Sequence, residues 1–475
     1  MTARESTQPI TPTVEPYDDG EIGDRSDVDH ADVVAVGAGL AGLTAAVTAA
    51  RGGAQVVLVD ARADRGGRAR SEAVEGFSIN HGAHALYLAG PGTAVLKGLG
   101  IAPAGRLPRQ SGFGWWIEGR RVPLRSLSAV GGVDGARALR RLVLPRRRRE
   151  GAAGRSMSDW LDDNVPDGGR RLAEMLVRTT CYVADLSDLD AGEALDQIAR
   201  GARGVRYLHG GWQSLVVGLE QVARDSGVSF VTDKAEGVRC GEGDEGGVLV
   251  ELRGGRTLAA ASVVLAVGGP AHAESLLSGA SPQVSAWAAA ADPILAACLD
   301  VAVTGSPRRS PSTTYGLGQP VYAVDHARTA RVAPDGGAMW HALFYEPDRW
   351  PEVDHRAVLE SMLDECDPGW RGRTAAVVFR KRSVVAHDRV RPVADSDRPT
   401  VEVPDLDGVY VAGDWLTGHG MLADAPVTSG ADAGRAATAW SVRRAARHRS
   451  GTTSLPSGSS APASPDGSGG GKLSA

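Results

Sequence analysis

Three glycines are the first residues of this chain whose spacing carries chemistry. Gly37, Gly39 and Gly42 stand in G-x-G-x-x-G order directly after the valine-rich run 32–36. Gly37 allows a tight turn, Gly39 lets a pyrophosphate approach the backbone, and Gly42 lets a helix pack closely on a strand. Leu40 and Ala41 lie between the last two glycines, where the amides of a helix start face phosphates. Asp60 closes the next apolar run, 55–59, and Ala61 follows it. An acid roughly 20 residues beyond the glycines is placed to accept hydrogen bonds from ribose hydroxyls.

The elements that must hold these residues are legible. Residues 32–36 have the pattern of a buried parallel strand, 43–51 are alanine-rich with helical spacing, and 52–53 are a glycine stop. A complete strand–turn–helix–strand unit is the context that gives the glycine spacing its meaning.

A second basic and glycine-rich turn follows, Arg65-Gly66-Gly67-Arg68-Ala69-Arg70-Ser71. Together with Gly413-Asp414 near the end of the chain, it resembles the FAD-dependent amine oxidase and phytoene desaturase superfamily. The resemblance covers about 31–447. It implies non-covalently bound FAD, with Gly66, Gly67 and Arg68 along the pyrophosphate and flavin. It also implies Ala235 on the adenine side and Gly413 and Asp414 toward the ribityl and pyrophosphate. A helix starting at Asp424-Ala425-Pro426 is expected to point its positive end at the flavin pyrimidine edge, with Ala425 among the contacts. The chain departs from the family in three places: Asn80-His81 where an acid is usual, Ser262 in place of an acid, and Asp424-Ala425-Pro426 in place of Glu-Gly-Ala.

The fold class expected is α/β: a Rossmann-like FAD-binding domain assembled from separated segments, with an inserted α+β substrate domain. The segments are a disordered leader (1–29), cofactor pieces (30–84, 206–270 and 401–447), a helical insertion (85–205), a strand-rich insertion (271–400) and a disordered tail (448–475). Within the first insertion, helices are expected near 134–144, 156–164 and 169–183, and a hairpin around Glu118-Gly119. Within the second, strands are expected over 295–303, 337–345 and 375–383, and a helix over 354–366. The 206–270 piece holds a helix over 214–224, a strand over 227–231, a hairpin of 248–252 with 256–258, and a strand over 260–267.

The chain has 475 residues and a net charge of -5, with 42% hydrophobic and 23% charged residues. This balance supports a large core and gives no reason to expect nucleic acid. Four scattered cysteines indicate neither a disulfide framework nor a metal site. The expected location is cytoplasmic. The basic run Arg137, Arg140, Arg141 and Arg146–Arg149 leaves peripheral membrane contact open beside the plainer reading of a solvated helix end.

No side chain is singled out as catalytic, because the flavin carries hydride transfer from a substrate C–H to its N5. His81 and His84 are candidates to face flavin or substrate, or else loop histidines bonded locally. Trp340, His341, Phe344 and Tyr345 are pocket candidates, or else core. The favoured reading is a desaturase or dehydrogenase of an apolar, isoprenoid-like small molecule. A flavin amine oxidase is the alternative, with Trp415 and Tyr345 as an aromatic cage. A third class is a protein using FAD structurally or for isomerisation. Oligomeric state is not legible.

Overall fold

The valine-rich run becomes the strand His30–Val36, buried from Val33 onward because parallel neighbours flank it and helices cover it. The computed structural model describes residues 30–451, apart from 83, 110–111, 125–129, 144–150, 242–246, 306–310, 393–398 and 417. The expected leader, the arginines at 146–149 and the expected tail beyond 451 lie outside the described residues.

His30–Val36 sits inside a seven-stranded sheet in the order Ser229–Thr232, Val56–Asp60, His30–Val36, Thr257–Leu265, Val248–Leu252, Ala235–Cys240, with Val409–Val411 also paired to Thr257–Leu265. The register aligns Val36 with Val59 and with Leu265, and Leu265 with Val411. With Ser229–Thr232, whose Thr232 pairs with Asp60, five parallel strands therefore end on one edge. Gly37, Asp60, Ala266 and Ala412 are among the residues at or just beyond those ends. A crevice at the carboxyl ends of parallel strands is where open α/β sheets bind ligands.

Three helices cover one face of this sheet. Leu40–Arg51 packs on Asp424–Gly451 through small residues: a Cβ on Gly430 would lie 2.3 Å from the Ala41 carbonyl oxygen, and one on Gly434 2.5 Å from that of Ala45. Gln213–Asp225 packs alongside, with Val216 against Gly66.

A second seven-stranded sheet runs Thr374–Ala386, Ile294–Val303, Ala338–Tyr345, Val321–Asp325, Thr313–Gly316, Phe113–Ile117, Arg120–Pro123. Both faces are covered, so every residue of Ala338–Tyr345 is buried. Even-numbered side chains, Trp340, Ala342 and Phe344, face the helix His355–Cys366. Odd-numbered ones, Met339, Leu343 and Tyr345, pack on the other side with Phe77, Ile79 and Tyr207.

Helices Gly132–Leu142, Met157–Asn164, Arg170–Cys181 and Ala191–Ala202 share a further core. The last was not anticipated, although its signal is present. Asp190 accepts from the Glu193 amide, the first half of a capping box. Two other expectations are corrected. The Glu118-Gly119 hairpin joins the second sheet through parallel pairing of Phe113–Ile117 with Thr313–Gly316. The runs 256–258 and 260–267 are one strand, Thr257–Leu265, because pairing with Val248–Leu252 at its start continues directly into pairing with His30–Val36.

Candidate functional site

A cavity of about 910 Å³ opens at the aligned strand ends and runs to the second sheet. Gly37, Gly39, Leu40, Ala41, Asp60, Ala61, Gly66, Gly67, Arg68, Ala235, Gly413 and Asp414 line it. Gly42 and Ala425 are absent from the wall. A Cβ on Gly42 would sit 1.7 Å from the Gly37 carbonyl oxygen, so this glycine serves helix–strand contact. Ala425 is fully buried, and its neighbours Ala423 and Pro426 reach the cavity instead.

The turn has the geometry a phosphate needs. Gly37 has φ 99°, a left-handed conformation unfavourable for other residues, and a Cβ there would meet the Ala266 carbonyl. Gly39 has an ordinary extended backbone, and a Cβ on it would find no atom nearer than 4.0 Å. The helix Leu40–Arg51 starts without a side-chain cap and without an acid in its first turn. Its positive end is therefore free for an anion. Asp60 accepts from the Ala38 amide at 2.6 Å and the Arg62 amide at 2.9 Å, which fixes the carboxylate at the strand end. Asp233, Lys234 and Glu236 join it at that end of the cavity, tied by the Asp233 amide to the Asp60 carbonyl.

Midway, Arg68 donates to Asp414 at 2.7 Å and to the Val385 carbonyl at 2.7 Å. His387 meets the other Asp414 oxygen at 2.8 Å. Burial alone would raise the Asp414 carboxyl. The Arg68 guanidinium and then His387 overcome that and hold it down at about 2. His387 also lies against Gly269, where a Cβ would clash with the ring at 2.8 Å. Sequence reasoning missed His387. It sits just past an edge strand, and its pairing with Asp414 crosses 27 residues without any local pattern.

At the second-sheet end the walls are Tyr182, Trp212, Leu343, Val385 and Leu422, with Cys298 and the two loop histidines. His84 donates through Nδ1 to the Gly82 carbonyl in the tautomer that contact requires, at 2.8 Å, and its ring lies 4.9 Å from that of Trp212. Burial pushes it down to about 4, so it is neutral near pH 7. His81 contacts Glu72 at 2.8 Å, and burial lowers it too. Burial pushes the Cys298 thiol up to about 12, leaving it unreactive as a thiolate. Tyr182 caps its helix in a left-handed conformation, φ 62°, which turns the chain into the cavity.

The aromatic expectations divide by strand parity. Trp340 and Phe344 are core. Tyr345 is buried behind Tyr182, their rings 5.8 Å apart, and His341 is paired with Asp300; none of the four lines the cavity. The Trp415–Tyr345 cage does not form, because Trp415 packs on Trp287 in the core of the first sheet. Among the described residues no cluster suits a metal ion, and no helix is long and apolar enough to cross a membrane.

Residues 36–98 match a family model described as an NAD(P)-binding Rossmann-like domain. No curated protein matches the chain. Among solved structures, an oxidoreductase from Methanosarcina mazei is 18% identical with a TM-score of 0.69, covering 84% of this chain and 99% of that one. Putrescine oxidase bound to putrescine is 17% identical with a TM-score of 0.61, covering 86% and 99%. Cyclohexylamine oxidase from Brevibacterium oxydans IH-35A is 17% identical with a TM-score of 0.60 over the same shares. The chain thus shares the fold of these oxidoreductases, with a Rossmann-like dinucleotide-binding segment at 36–98.

Proposed function

We propose that this protein is an FAD-dependent oxidoreductase acting on a C–H bond of a small, uncharged and largely apolar substrate. The observation that carries this reading is one continuous cavity. It runs from Asp60, past the open Gly39 turn and the Arg68–Asp414 pair, to the apolar end at Tyr182 and Leu343. When bound, FAD supplies the hydride acceptor. Gly39, Leu40 and Ala41 would hold its phosphates, Asp60 a ribose, and Gly67, Arg68 and Gly413 the stretch between.

The chain's own residues shape the substrate end. Tyr182, Trp212, Leu343, Val385 and Leu422 exclude water. His84 offers Nε2 as an acceptor without a charge. Among the described lining residues, the carboxylates are Asp60, Asp233 and Glu236, which gather at the far end, and Asp414, which is occupied by Arg68 and His387. None is left to anchor a cationic amine, which favours an uncharged substrate. The amine oxidase alternative draws support from the aromatic walls Tyr182 and Trp212 and from the amine oxidases among the structural neighbours.

Purified protein is expected to be yellow. Anaerobic bleaching of the flavin band by isoprenoid-like compounds, and not by amines, is the expected pattern. Bleaching by amines alone selects the alternative, and a colourless protein that takes up no FAD refutes the proposal. A Cβ at Gly39 meets no atom nearer than 4.0 Å, so Gly39→Val is expected to fold and yet to retain no FAD.

A further inference from the structure

The helix Gly132–Leu142 has two unlike faces. Gly135, Ala138 and Leu142 are buried, with Gly135 against Leu172 of the neighbouring helix. The outward arc carries Val133, 68% exposed, Leu139, 46% exposed, and Val143 just past the helix end, 41% exposed. Ala136 is exposed among them. Arg137, Arg140 and Arg141 are exposed on the same arc, and Arg137 is paired with Asp134 at 2.9 Å. At 100° per residue the order around the arc is Leu139, Val143, Ala136, Arg140, Val133, Arg137, Arg141. Apolar side chains occupy one flank, and arginines alternate with Val133 on the other.

We propose that this arc docks the enzyme on an anionic lipid surface. Apolar side chains offered to solvent beside guanidinium groups suit a bilayer headgroup region. The methyl groups enter the acyl boundary while arginine binds lipid phosphates. Nucleic acid fits the charge but not the exposed valines and leucine. Gly132–Leu142 packs at the start of Arg170–Cys181, against Gly168, Gly169 and Leu172, and the cavity residue Tyr182 caps the other end of that helix, about 15 Å along it. The inference goes beyond the flavin assignment and does not depend on it.

The test is co-sedimentation of the full-length, FAD-supplemented protein with phosphatidylcholine vesicles, plain or doped with phosphatidylglycerol. Binding is expected to the doped vesicles alone and to weaken with salt. Arg140→Gln with Arg141→Gln is expected to lower partitioning about fivefold per arginine. Val133→Ser with Leu139→Ser is expected to abolish it at low salt too, where charge alone would persist. All four positions are exposed, so an unchanged unfolding midpoint verifies that the variants fold. The proposal is overturned by absence of wild-type binding, by variants that bind equally, by preference for duplex DNA over doped vesicles, or by a self-association that the same variants abolish.

Discussion

Asp414 is the residue on which the middle of the cavity turns. Its carboxylate is buried, yet Arg68 and His387 keep it ionised, with its pKa lowered from 3.8 to about 2. A carboxylate depressed in the folded state stabilises the protein above its unfolded pKa and loses that contribution as pH falls through the folded value. Asp414→Asn is therefore expected to cost about 2 kcal/mol at pH 7. The gap from the native protein should close between about pH 4 and pH 2. Denaturant unfolding of both proteins across that range checks it. Of this arrangement, Arg68 and Asp414 were legible, because each stands in a short motif beside glycines. His387 was not, since a residue that earns its place through a contact with a distant strand leaves no mark on its neighbours. The same limit hid Tyr182, whose orientation comes from a left-handed helix cap.

Elements were more legible than contacts. The glycine unit, the three main strands of the second sheet and the helices at 157–164, 170–181 and 355–366 follow from periodicity that reading along the chain can detect. What periodicity cannot tell is which face of a doubly covered strand meets the cavity, and so Trp340 and Leu343 were indistinguishable in kind. Two element contacts give predictions. Gly42→Ala sets a methyl group against the Gly37 carbonyl and pushes the helix Leu40–Arg51 off its strand. A loss of about 3 kcal/mol is expected, read by urea unfolding. This contrasts with Gly39→Val, which should leave stability near that of the native apoprotein.

Asp424 heads the helix Asp424–Gly451 and accepts from the Gly92 amide at 2.9 Å, capping the helix Pro91–Gly98 from outside. Burial raises it from 3.8 to about 6. The native state then binds a proton more readily than the unfolded chain. This group's contribution is fullest below pH 4 and is lost as pH rises through 6. Asp424→Asn is expected to flatten the dependence of stability on pH between 4 and 6, measured by thermal or urea unfolding at each pH.

At the scale of the whole molecule the cavity joins residues from the first strand to the last, so ligand binding and global stability are coupled. FAD at a hundredfold excess over its dissociation constant is expected to stabilise the fold by about 2.7 kcal/mol. The unfolding midpoint of the apoprotein should rise with FAD concentration. For Gly39→Val it should not move, which would tie the stabilisation to the phosphate turn.

The closure between the two ends of the chain has a consequence for the order of folding. The Ser441 hydroxyl donates to the Asp32 carbonyl at 2.8 Å, and Ser262 lies between them, bonded to both Ser441 and the Ala437 carbonyl. Val409–Val411 and the helix after it complete the sheet that Asp32 begins. Contacts at such sequence separation are slow to form, since a long loop must close first. The glycine turn can therefore form before the cavity around it, which is complete only once Val409–Val411 and the helix Asp424–Gly451 have joined the sheet.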